Sequence, residues 1–165
     1  AQLVYELEYP NPVLVLAGPD DGYKHEAELL ADSLGIGDKV IFSGFLTQYD
    51  KVCAYVDSSV VVHPESFNVT LIAPLEAAAS GKPIVLSNGN YLSEIAHNNG
   101  FGFSVQYDDT IGLAKLLQKI ISEKNLAEVM GNKGRQFVFE NLDWQVIVRR
   151  YENLYQRMAR QEESK

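Results

Sequence analysis

Five short apolar runs punctuate the chain: Val13 to Ala17 (VLVLA), Val40 to Phe42, Val60 to Val62, Ile84 to Leu86 and Gly102 to Val105. Three of them are nearly continuous in valine, isoleucine and leucine, the pattern of strands buried on both faces of a parallel sheet. Between them, apolar positions recur at helical spacing over Tyr23 to Leu34, Gln48 to Val56, Leu71 to Ser80 and Tyr91 to His97. Strand and helix alternating in this way make βαβ units, so the pattern predicts an α/β fold: a parallel sheet with helices on both faces. From about residue 111 the pattern turns all-helical, over Ile111 to Ser122, Leu126 to Phe139 and Trp144 to Arg160. Ala1 to Glu8 (AQLVYELE) places Leu3, Val4 and Leu7 on one face and reads as the end of an amphipathic helix. Further sequence is therefore expected upstream. Gln161 to Lys165 is expected to fray.

A chain of 165 residues suffices for one domain with a sizeable core, and residues 1–165 are read as one. Its 46% hydrophobic and 22% charged residues fit a soluble globular protein. A net charge of -8 argues against nucleic acid and anionic membrane surfaces as partners, although a local anion site is compatible with it. No apolar run approaches the ~20 residues that span a bilayer. The single cysteine, Cys53, cannot form an internal disulfide, and its place in an amphipathic helix favours a buried, inert thiol. No secretory signal is seen, and a reducing, cytoplasmic setting is the expectation.

Chemistry is expected where the strands end, because ligands of open parallel sheets bind beyond the carboxyl ends of the strands. Three loops meet that description: Gly18-Pro19-Asp20-Asp21-Gly22, Ser43-Gly44-Phe45 and His63-Pro64. The third opens onto a helix that starts near Thr70 or Leu71. Pro74 fits such a start, since proline is tolerated where its missing N–H would have no partner. The free N–H groups of Thr70, Leu71 and Ile72 would form an anion site suited to a diphosphate. Glu76, about 7–8 Å further along the helix, could accept hydrogen bonds from two adjacent hydroxyls such as those of a ribose.

His63 to Val85 reads HPESFNVTLIAPLEAAASGKPIV. Within it, Pro74, Leu75, Glu76, Ala77, Ala79, Gly81 and Pro83 fit the pattern Pro-Leu-Glu-Ala-x-Ala-x-Gly-x-Pro. This segment resembles the donor-site signature of the retaining glycosyltransferases built from two Rossmann-like domains, the GT-B fold. Leu14 to Gly18, Val40 to Phe45 and Val61 to Pro64 resemble that family's second, third and fourth strands, and the likeness extends over about Leu3 to Tyr155. It implies the C-terminal, Rossmann-like half of a GT-B enzyme that moves a sugar from a nucleoside-diphosphate sugar to an acceptor. The donor is then a substrate, and no cofactor or metal is implied. By the same resemblance Glu76 holds the ribose and Phe45 and Leu46 border the base.

The donor sugar is expected at the loop from His63 to Asn68. The family places seven residues between its two glutamates, which lands on Asn68; read by motif, Glu65-Ser66-Phe67-Asn68 resembles Glu-x-Phe-Gly and makes Glu65 the first glutamate. Both registers stand at this point. Asparagine is a sound replacement for glycine where the backbone is left-handed. The resemblance also implies an N-terminal acceptor domain and a first, central strand, both upstream of Ala1. Without that strand, Val13 to Ala17 and Val60 to Val62 either pair directly or flank a gap, and the gap is favoured. A non-catalytic nucleotide-sugar-binding module and a sugar-nucleotide epimerase of the same architecture are the alternative functions. His25 and His97 are expected on the surface, and Trp144 as a packing anchor. No general base stands out, Asp20, Asp21 and Glu65 being only neighbours of the rim.

Overall fold

The computed structural model describes residues 12–64 and 71–162. Five strands form within them: β1 Leu14–Ala17, β2 Val40–Gly44, β3 Val61–His63, β4 Ile84–Ser87 and β5 Gly102–Val105. The helices are α1 Lys24–Ser33, α2 Gln48–Asp57, α3 Ile72–Ala79, α4 Tyr91–Asn98, α5 Thr110–Ser122, α6 Lys124–Leu142 and α7 Trp144–Glu162. All five expected strands and all seven helices between residues 12 and 162 are present, within a few residues of their expected ends. A short 3-10 turn, Gly37–Lys39, precedes β2; it carries no apolar periodicity and is invisible in the pattern. The expected helix at Ala1 to Glu8 lies outside the described residues.

The strands form two parallel sheets rather than one. β1 pairs with β2, and β3, β4 and β5 pair in that order. No ladder joins β1 to β3, so of the two expected arrangements the unpaired one is found. The consequence is visible in burial. β4 is buried at all four positions, Ile84 to Leu86 as their continuous apolar run requires and Ser87 with them. β1 is exposed at all four, contrary to expectation, with Val15 49% accessible. An equally apolar strand is thus uncovered because, among the described residues, it packs mainly on β2 and no helix covers its faces extensively.

β4 separates two packed layers. Ile84 and Leu86 lie with Ala77 and Ala78 of α3, Leu92 and Ala96 of α4, and Phe101. Val85, facing the other way, lies with Ile120 of α5 and Met130 of α6, flanked by Val62 and Phe103. Helices therefore cover both faces of this sheet. α6 serves both layers: Met130 packs on one and Phe137 on the other, its ring 5.1 Å from that of Phe101.

The small residues of α3 let α6 approach. A Cβ on Gly131 would fall on the carbonyl oxygen of Gly81, and one on Gly134 would lie 3.3 Å from the Ala78 Cβ. Gly81 itself ends α3. Its φ of 77° is left-handed, and the amides of Gly81 and Lys82 donate to the carbonyls of Ala78 and Ala77 at 2.9 and 3.1 Å. This Schellman closure satisfies the last carbonyls of the helix and turns the chain through the buried Pro83 into β4. Asn90 fixes the next turn, accepting from the Ser93 amide at 2.7 Å and donating to the Ser87 carbonyl at 2.9 Å. His25 and His97 are exposed as expected; Cys53 is half-buried rather than buried. Trp144 is 76% accessible and so does not anchor packing. Among the described residues no helix is long and apolar enough to cross a membrane.

Candidate functional site

The α3 segment places the one expected contact whose surroundings are fully described. α3 begins at Ile72 with Leu71 at its cap, and no side chain among the described residues caps it. The first amides of a helix have no intrahelical partner. Buried Pro74 occupies the third helical position, where it forfeits no hydrogen bond. One turn in, the Glu76 side chain is 36% accessible. The helix faces its alanines inward, Ala77 and Ala78 being completely buried.

Glu76 meets two residues of α2 that the sequence did not single out. The Lys51 Nζ lies 2.8 Å from Oε1, and the Tyr55 hydroxyl donates to Oε2 at 3.2 Å. Lys51 and Tyr55 are four residues apart and so share one face of α2. That spacing is readable from the sequence; that the face abuts α3 is not. Thr47 starts α2, its hydroxyl accepting from the Asp50 amide at 3.4 Å. The Tyr55 ring packs on the core layer of α3 and α4 while its hydroxyl reaches the carboxylate. Loss of water contact, the Glu76 charge and the hydrogen bond to it together push the Tyr55 phenol up to about 12.

The other expected residues divide into four groups. Phe45 and Leu46 sit between β2 and the start of α2; Phe45 is 80% accessible and Leu46 half-buried. His63 ends β3, opposite Leu86, and is half-buried. Leu71 and Ile72 stand at the helix start, Ile72 exposed. Glu65, Asn68 and Thr70 lie outside the described residues, and with them the choice between the two registers.

Asp20 is occupied. Its carboxylate accepts from the amides of Gly22 at 2.8 Å and Lys24 at 3.3 Å. These bonds hold its pKa below the usual carboxylate value, so Asp20 builds the turn into α1 rather than serving as a base. The Gly18 amide donates to the Gly44 carbonyl at 3.0 Å, which joins the loops that follow β1 and β2. A hollow of about 410 Å³ lies elsewhere, between the β4–α4 turn and β5, against Asn88, Glu94 and Ser104. It includes neither Glu76 nor His63.

Comparison with known proteins follows the same segment. The family model for glycosyl transferases group 1 matches residues 1–137. An uncharacterized glycosyltransferase of Methanocaldococcus jannaschii is 31% identical over 149 residues, 90% of this chain and 38% of that protein. The N-acetyl-alpha-D-glucosaminyl L-malate synthase of Bacillus anthracis is 27% identical over 136 residues, 82% of this chain and 35% of the synthase. Among solved structures, a sucrose-phosphate synthase from Thermosynechococcus elongatus superposes with a TM-score of 0.77 at 26% identity, covering 95% of this chain and 41% of that one. The chain spans less than half the length of each of these proteins.

Proposed function

The chain belongs to the glycosyl transferases group 1 family, and from that premise we propose that it is the donor-binding half of a retaining glycosyltransferase. The donor is a nucleoside-diphosphate sugar. Glu76 accepts the two ribose hydroxyls, and the amides of Thr70, Leu71 and Ile72 take the diphosphate at the positive end of α3. Phe45 and Leu46 border the base. The sugar lies toward His63 and the loop holding Glu65 and Asn68. As the glycosidic bond to the diphosphate breaks, negative charge gathers on the leaving group. Fixed N–H dipoles stabilise that charge without having to reorganise. The acceptor is held by an N-terminal domain of the full-length protein, a further strand upstream of Ala1 sits between β1 and β3, and the loop after that strand supplies cations for the diphosphate. The setting is cytoplasmic.

The observation that carries this reading is the position of Glu76. It is a partly exposed carboxylate one turn inside a helix whose first amides no described side chain caps, on the segment that carries the family motif. Calorimetric titration of the full-length protein with UDP, GDP and ADP tests it. Glu76→Ala is expected to weaken the preferred nucleotide by about 1.5–3 kcal/mol, the range for hydrogen bonds to a charged group. Equal affinity in both proteins would overturn the ribose assignment. Retention is read separately, from the anomeric configuration of the product by NMR.

A further inference from the structure

A carboxylate presents two oxygens and about four lone-pair sites. At Glu76 two donors from α2 use one site on each oxygen: Lys51 on Oε1 and Tyr55 on Oε2. One site per oxygen is left, and the side chain is still 36% accessible. Two sites on adjacent oxygens match two hydroxyls on adjacent carbons.

We infer that Lys51 and Tyr55 are positioning residues that fix the Glu76 carboxylate in the orientation needed to grip a vicinal diol. The inference rests on the ribose reading of Glu76. Stability alone does not account for the arrangement. The Lys51 and Glu76 side chains are 37% and 36% accessible, and ion pairs that open to solvent contribute little to folding. Orientation is a different matter. A glutamate has three rotatable side-chain bonds, and a freely turning one must be ordered when the diol arrives. Tyr55 reduces that freedom most, because its ring is anchored in the core layer and its hydroxyl cannot follow the carboxylate far. Lys51 adds a charge-assisted bond that holds Oε1 in place and leaves its other lone pair for an incoming hydroxyl.

The test separates this inference from the reading it rests on. UDP, GDP and ADP are screened against the full-length protein, and the tightest binder is compared with its 2′,3′-dideoxy counterpart. The ratio of the two affinities measures the diol grip. Hydrogen bonds to a charged group make that ratio roughly 10–100 in wild type. In Glu76→Ala it should collapse toward one. In Tyr55→Phe and in Lys51→Met it should fall roughly three- to tenfold, a fraction of that range, with dideoxy affinity and melting temperature unchanged. Tyr55→Phe keeps the ring, and Lys51 is partly exposed, so at least one variant folds. If Glu76→Ala leaves the ratio intact, or no nucleotide binds, the ribose reading fails and the inference with it. If Glu76→Ala collapses the ratio but both α2 variants keep it, raise it, or lose both ligands equally, the positioning role alone is overturned.

Discussion

Removing Glu76 does two things at once: it deletes an acceptor and strands the two donors that α2 aims at it. The phenol of Tyr55 reports on this directly. Its pKa of about 12 comes first from lost hydration, then from the Glu76 charge and the bond to it. In the unfolded chain a tyrosine titrates near 10. The folded value is raised, so the stability linked to this proton is fully present below about pH 10 and is lost as pH climbs toward 12. Denaturant melts of wild type should therefore weaken over that alkaline window more steeply than those of Tyr55→Phe; identical slopes would mean that Tyr55 is not perturbed. Glu76→Gln should move the Tyr55 titration back toward its ordinary value, read as the difference in phenolate absorbance against Tyr55→Phe. At this scale the sequence was half informative. The motif marks Glu76, because Pro74, the alanines and Gly81 identify its helix. Nothing local marks Lys51 and Tyr55, whose importance comes from a partner 25 and 21 residues away. Trp144 misled for the opposite reason: a large aromatic side chain suggests burial, but burial depends on a neighbour that the described residues do not supply.

Among the elements, the contact of α3 with α6 is the most demanding, since it is built on residues without side chains to spare. Gly131→Ala pushes a methyl group into the Gly81 carbonyl, backbone against which nothing can rotate away. The gain from replacing a helical glycine is about 1 kcal/mol, and overpacking of this kind costs about 1–3 kcal/mol. Collision with backbone lies at the costly end, so net destabilisation is expected in urea melts. Gly134→Ala, whose added Cβ would sit 3.3 Å from the Ala78 Cβ, should be near neutral, because the helix gain offsets a small adjustment. If the two variants melted alike, the close approach at Gly131 would be wrong. The elements themselves were legible where period and punctuation agree. β4 is bracketed by Pro83 and Asn88 and apolar over Ile84 to Leu86, and α4 runs from Asn90 as cap to a left-handed Gly100. The burial of β1 was not legible. Its sequence resembles that of β4 in character, and only the packing of helices on a strand's faces determines that one is enclosed and the other exposed.

For the whole molecule, the edges of β1 and β3 that no other described strand joins set the expectation. An apolar strand with a free row of backbone donors and acceptors is a template for another strand. If a further strand of the full-length protein fills that position, amides of Val13 to Ala17 and Val61 to His63 should exchange with deuterium more slowly there than in residues 1–165 alone. Equal exchange would remove the strand from the proposal. The seam between α2 and α3 has a consequence of another kind. Phe45 and Leu46, proposed to border the base, lead into α2, whereas Glu76 belongs to α3, and Lys51 and Tyr55 join the two helices. A lineage changing its preferred donor need not alter any group that touches it. Drift at seam positions would shift the base side relative to the ribose side, retuning selectivity while every contacting residue stays the same. Sequence surveys that compare contact residues alone would count such descendants as identical in specificity when they are not.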